Sequence, residues 1–63
     1  MEYLIMKVRR DGSAGFLHSG GKFSRDMYAA ITTSNPRVAY DLAKRIEARS
    51  NDAAAVNPVP LAI

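Results

Sequence analysis

Between residues 2 and 10 (EYLIMKVRR) apolar and polar positions alternate with the two-residue period of an extended strand. Leu4, Met6 and Val8 fall on one face, which is expected to meet the core. Tyr3, Ile5, Lys7 and Arg9 fall on the other, where two apolar residues are followed by two cations. Asp11-Gly12 then separates two apolar runs. That pattern predicts a two-residue hairpin turn, in which both positions take positive φ. The returning strand is expected from about residue 13 to 18, carrying Phe16 and Leu17. Gly15 inside it marks a bulge or a close backbone approach. Ser19, Gly20, Gly21 and Lys22 form a loop. Residues 23–26 are ambiguous. Residues 27–33 (MYAAITT) alternate again and read as a third strand, Met27, Ala29 and Ile31 against Tyr28, Ala30 and Thr32.

The period then changes. Asn35 is a good N-cap and Pro36 suits the first helical position. The helix is expected to run to about Arg49, where Ser50-Asn51 ends it, with Val38, Ala39, Leu42, Ala43 and Ile46 as its apolar stripe. Arg45 and Arg49 border that stripe and can lay their stems along the core edge. Residues 53–63 (AAAVNPVPLAI) close the chain with a strand-like run through Val56, Val59, Leu61 and Ile63. Pro58 and Pro60 are two apart, so their missing N–H groups lie on one side, the mark of an edge strand paired on its other side. The sum is an α+β domain of β-β-β-α-β order. It is a mainly antiparallel sheet of three or four strands with one helix on one face. One helix covers one face of such a sheet, so the other face stays open or meets a partner.

Composition narrows the function. The 63 residues make one domain. A chain of this size buries only about 60% of its unfolded surface, and small scaffolds need a staple. There is no cysteine and a single histidine, His18, so neither a disulfide nor a thiolate or histidine metal site is expected. Association, with a second copy or a larger partner, is the staple that remains. The apolar run Tyr3-Leu4-Ile5-Met6 is far shorter than a membrane span of about 20 residues. Glu2 stands where a signal peptide is basic. A cytoplasmic protein without membrane contact is expected.

Nine Lys and Arg against six Asp and Glu give a net charge of +3, and the whole excess lies in the first 25 residues. An acidic partner surface fits this best, with nucleic acid as a weaker possibility. Lys7, Arg9, Arg10, Lys22 and Arg25 with Tyr3 and Phe23 make a basic group with aromatics interleaved, as in nucleic-acid binders. So few cations support only weak, salt-dependent binding. Tyr40 lies off the helix stripe beside Arg37 and Lys44, and Tyr and Arg are enriched in binding hot spots. The candidate partner-binding residues are therefore Tyr3, Lys7, Arg9, Arg10, Lys22, Arg25, Arg37, Tyr40 and Lys44. Tyr3, Ile5, Tyr28 and Thr32 are candidates for the open sheet face.

No catalytic, cofactor-binding or metal-ligating residue is expected. The stretch GFLHSGGKF has Gly15 and Gly20 at phosphate-loop spacing. However, Gly21 intervenes before Lys22, and Phe23 replaces the hydroxyl residue that would hold magnesium. His18 beside Ser19 or Ser24 could suggest a nucleophile–base pair, with Asp11 or Asp26 as the orienting carboxylate, but 63 residues leave little room for a pocket of the usual ~300 Å³ or more. Asp26, Asp41, Glu47 and Asp52 do not cluster, and Asp41–Arg45 at i,i+4 reads as a surface ion pair.

The order of signals, a strand EYLIMKV, a hairpin, a capped helix SNPRVAYDLAKRIEAR and a final VNPVPLAI, resembles small phage-encoded accessory proteins of β-β-β-α-β build. Many of these inhibit host systems, anti-CRISPR proteins among them. The resemblance implies a non-enzymatic inhibitor in the host cytoplasm. It would bind a large host protein or nucleoprotein complex with an acidic surface and block nucleic-acid entry or assembly, without a small-molecule substrate. The alternatives are a small basic nucleic-acid-binding domain and a homodimeric structural or assembly module.

Overall fold

The computed structural model describes residues 1–61. The elements are β1 (Glu2–Arg9), β2 (Ala14–Leu17), β3 (Phe23–Ser24), α1 (Pro36–Arg49) and β4 (Ala53–Leu61). All neighbours in the sheet are antiparallel and the order is β3-β2-β1-β4, an α+β fold with one helix on one face. The expected strand character of Ile63 lies outside the described residues.

The helix begins and ends where its caps place it. The Asn35 side-chain oxygen accepts hydrogen bonds from the N–H groups of Arg37 (2.9 Å) and Val38 (3.3 Å), and Pro36 occupies the first turn. Ala39 and Ala43 are fully buried and bring the helix axis close to the sheet. Val38, expected in the apolar stripe, is 50% exposed.

Three local expectations need correction. First, the hairpin loop has three residues, not two. Arg9 N–H donates to Ser13 O and Gly12 N–H to Arg9 O, so Arg10, Asp11 and Gly12 form the connection. Only Gly12 has positive φ, at 91°. This is the three-residue loop with glycine in the left-handed position. Asp11 Oδ1 accepts from both Ser13 N–H (2.8 Å) and Ser13 Oγ (2.7 Å), which fixes the loop without left-handed strain at Asp11.

Second, residues 27–33 are not a strand. Asp26 Oδ1 accepts from the N–H groups of Tyr28 and Ala29 and turns the chain there. Only Thr33 pairs, with Tyr3. The third strand is instead Phe23–Ser24, on the ambiguous stretch. It needs Gly15: a Cβ there would lie 3.2 Å from the Phe23 Cβ and 3.3 Å from Ser24 N. The register of β1 on β2 runs through Gly15 without a bulge, so the glycine serves close approach.

Third, the helix-facing side of β1 is the odd-numbered one, although Leu4, expected in the core, is buried as well at 1% exposure. The core cluster under α1 is Ile5, Leu17, Ala39, Ala43, Ala53 and Val56, with Tyr3, Phe23, Leu42 and Ile46 packed against it. Thus Tyr3, Ile5 and Lys7 face the helix, and Leu4, Met6 and Val8 face away. Tyr3 and Ile5 are accordingly not on the open face. Tyr28, 92% exposed, lies in the turn after β3. The start of β1 is apolar on both sides, so alternation alone does not choose the face. Lys7 is tolerated on the core side because its stem runs over apolar neighbours to a carboxylate.

β4 is the edge strand that Pro58 and Pro60 imply, beside β1. Its register on β1 is broken once, between Val8 and Arg9, where Ala54 is the extra residue. Val56 N–H points out of the edge and donates to Glu47 Oε2 at 3.0 Å. Pro58 and Pro60 continue that outward side and carry no N–H.

The facing of β1 makes a direct test. Ile5→Ala is expected to cost about 2–5 kcal/mol, as for a buried aliphatic side chain. Met6→Ala should cost clearly less, both measured by urea denaturation. Equal losses would contradict the assignment of faces.

Candidate functional site

The helix-side face of the sheet is only half roofed. α1 packs on β4 and β1, and the part of the face made by β2 and β3 is left bare. A cleft of about 460 Å³ results. Leu17 and Phe23 come from the sheet, Leu42 and Ile46 from the flank of α1, and Ile31 from the segment after β3. Ile31 is held there by its N–H, which donates to Leu17 O at 3.0 Å. The polar members of the lining are Lys7, Arg49 and Ser50, and no carboxylate lines it. The cleft lies largely open to solvent, and its volume exceeds the ~300 Å³ for which so short a chain is expected to leave little room.

Lys7 is fixed at the inner end. Its ammonium is 2.8 Å from Asp52 Oδ1 and 5.0 Å from the centre of the Phe23 ring, and its side chain is only 12% exposed. Asp52 also lies 3.7 Å from Arg9 Nε. The bulge at Ala54 and the hydrogen bond from Arg10 N–H to Asp52 O (2.9 Å) hold this carboxylate in place. The hydrogen bond from Lys7 keeps the Asp52 carboxyl below its ordinary range, against the opposing effect of desolvation. Arg49, exposed at the last helical turn, takes part in none of the ion pairs among the described residues. It is the cation at this cleft with a free charge.

The residues singled out in the sequence do not come together. Lys7 and Arg9 share Asp52, and Tyr3 packs on the core. Arg10 is exposed in the hairpin loop, while Lys22 and Arg25 are exposed on either side of β3, at the opposite sheet edge from β4. Tyr40 and Lys44 occupy the flank of α1 that meets β4: Lys44 Nζ is 5.4 Å from the Tyr40 ring centre and 3.5 Å from Glu47 Oε1, and Glu47 bonds Val56. Arg37 is exposed in the first turn. Tyr40 is 54% exposed, as its place off the stripe implies. The expected Asp41–Arg45 ion pair is not formed, and Lys44–Glu47 is the helix pair instead. His18 is half-buried with Nε2 2.8 Å from Asp26 O, at the end of β2. Among the described residues no three metal-ligating side chains gather, and no helix is long and apolar enough to cross a membrane.

Leu17, Phe23, Ile31, Leu42 and Ile46 were therefore the missed site. Leu42 and Ile46 carry a signal, since they flank the buried Ala39 and Ala43 on one side only. The apolar stripe is thus wider than the contact that two alanines make. Nothing local to Phe23 or Ile31 marks them, because their position depends on where β3 forms. No protein-family model, no curated protein and no solved structure matches this chain.

The acid response follows from three carboxylates. The Val56 N–H holds Glu47 below its ordinary value of 4.5. Bonds from Lys7 and from Ser13 hold Asp52 and Asp11 below 3.8. A depressed folded-state pKa stabilises above the unfolded value and is lost as protons bind the folded form. The melting temperature is therefore expected to be flat near neutrality and to fall as pH drops through 4.5 and below 3.8. Glu47→Gln, which keeps an acceptor for Val56, should shallow that fall. A melting temperature constant down to pH 3, about one unit below the usual carboxylate range, would contradict it.

Proposed function

We propose that this chain is a non-enzymatic binding module that docks on a larger protein and acts by occupying it. This is the mode implied by its resemblance to phage-encoded inhibitors of host complexes. The observation that carries the reading is the cleft beside α1. It is apolar along Leu17, Phe23, Ile31, Leu42 and Ile46, is bordered by Arg49 and has no carboxylate in its lining. Such a surface suits a partner segment that offers a large apolar side chain beside an acidic group. Burying the apolar anchor supplies the affinity, and the arginine orients it. The exposed Lys22 next to Gly21 extends the positive rim.

This moves the expected contact from the first strand to the helix flank. Lys7 and Arg9, whose charges are shared with Asp52, support the cleft and do not reach outward. The same pairing lends less support to nucleic acid, which needs several free cations in line.

The test is affinity capture from a bacterial lysate, with and without nuclease, using the native chain and two variants. A protein captured regardless of nuclease, and lost with both Leu42→Asp and Arg49→Glu, is the expected result. Far-UV circular dichroism should show both variants folded, since neither side chain is fully buried. Capture unchanged by both variants would remove the cleft as the docking site. Capture abolished by nuclease would replace a protein partner with nucleic acid.

A further inference from the structure

The helix side of the sheet has room for a second helix. At about 4.8 Å per strand, β2 and β3 present a bare strip about 10 Å wide, close to the 10–12 Å diameter of one α-helix. One wall of this strip is the flank of α1. Along it Val38, Leu42, Arg45 and Arg49 follow at intervals of four, three and four residues, the spacing of a seam between two helices. At 1.5 Å per residue the seam is about 16 Å long, roughly three turns. A second hollow of about 230 Å³, lined by Val38, Asp41, Leu42 and Arg45, adjoins the cleft, and Leu42 lines both. Each keeps a large apolar side chain uncovered, Val38 at 50% in the one and Ile31 at 39% in the other. The charges along the seam are sorted by end. Asp41 lies in the first half of α1, Arg45 and Arg49 in the second, and none of the three takes part in the ion pairs among the described residues.

We infer that the partner lays an amphipathic α-helix in this strip, antiparallel to α1, with acidic residues in its first turns. The inference rests on the docking role proposed above and names the kind of segment that the cleft takes. Width selects a helix. An extended segment fills about 4.8 Å and leaves half of the strip open. An amphipathic helix fills it, with one apolar stripe set against Phe23 and Ile31 on one side and Val38 and Leu42 on the other. The open form of the cleft fits this occupant, since a surface that covers one side of a helix needs no enclosing wall. Charge selects the direction. Arg45 and Arg49 require carboxylates beside the end of α1, and Asp41 a cation nearer its start. A helix holds acidic residues best in its first turn and basic ones in its last, because of its macrodipole. The antiparallel direction sets an acidic beginning beside Arg45 and Arg49 and a basic end toward Asp41, so both requirements agree. The α1 of a second copy is a poor occupant, because its own first turn has no acidic residue and carries Arg37.

The experiment titrates the full chain against three synthetic peptides of the length of α1, 14 residues, read by fluorescence anisotropy. The first is stapled into a helix, with leucine every three to four residues, glutamates in its first turn and a lysine in its last. The second is the same helix with lysines in place of the glutamates. The third has the composition of the first, without the staple and with leucine at every second residue. The first is expected to bind, and the other two at least about tenfold more weakly. Val38→Asp should weaken the first about tenfold, and Arg49→Glu should turn the preference toward the second. Arg10→Glu, the same change of net charge in the hairpin loop, should leave the preference as it is. These three side chains are exposed, so the variants keep the fold. A nitroxide on the first residue of the first peptide should broaden amide signals near Arg49 more than those near Arg37. No binding by the first peptide overturns the proposal. So does a third peptide that binds as tightly, a preference that Arg49→Glu and Arg10→Glu shift equally, or broadening centred on Arg37. The docking role fails separately: lysate capture lost with Leu42→Asp and Arg49→Glu but untouched by Val38→Asp removes the helix and keeps the cleft.

Discussion

An α-helix with its side chains is about 10–12 Å across, and four strands at about 4.8 Å spacing present a wider surface than that. Most of the molecule's character follows from this mismatch. The single helix sits over β1 and β4, which buries Ile5 and Val56 completely and leaves the helix-side surface of β2 and β3 bare. The cleft is the remainder of that face, and the opposite face has no cover from α1 at all. The described residues form no second helix. The chain's largest fully buried side chains are only Leu4, Ile5 and Val56, so the surfaces that it leaves open are large relative to the core that it closes.

The polar groups are disposed to protect this small core. Lys7 lies on the core side of the sheet, yet its charge is matched by Asp52 and its ammonium rests over Phe23. Glu47 does a similar service for the sheet edge by accepting the outward N–H of Val56. Both carboxylates lie at the periphery, so each pairing forms without burying a charge outright. The cations that the sequence brings together near its start are thereby split, some spent on internal contacts and some left at separate corners.

The helix was legible because its signals are local. Asn35, Pro36 and the spacing of Ala39, Ala43 and Ile46 act within a few residues and need no knowledge of the rest. The edge role of β4 was legible for the same reason, since Pro58 and Pro60 declare which side lacks donors. What was not legible depends on distant partners. The face of β1 is decided by where α1 lands, and Tyr3 and Ile5 are as apolar as Leu4 and Met6. The third strand is decided by a close approach to Gly15 and by the turn at Asp26, against a stretch at residues 27–33 that alternates just as well. The cleft is made of residues from three separate segments, so its position was hidden until β3 was placed. Tyr40 was read correctly as an exposed aromatic, because an amphipathic helix shows its outer face directly in its period.

The pairing of the first strand with the last has a consequence for how the protein comes into being. Glu2 lies opposite Leu61 and Met6 opposite Asn57, so β1 waits until β4 has been made for one of its two neighbours. The early hairpin can form as it leaves the ribosome, and the helix can coil soon after. Neither has a closed core until Val56 arrives between them. Such long-range closure makes folding slower than in a helical protein of equal length. It also leaves the apolar start of β1 exposed while synthesis is under way, when contact with other chains is most frequent.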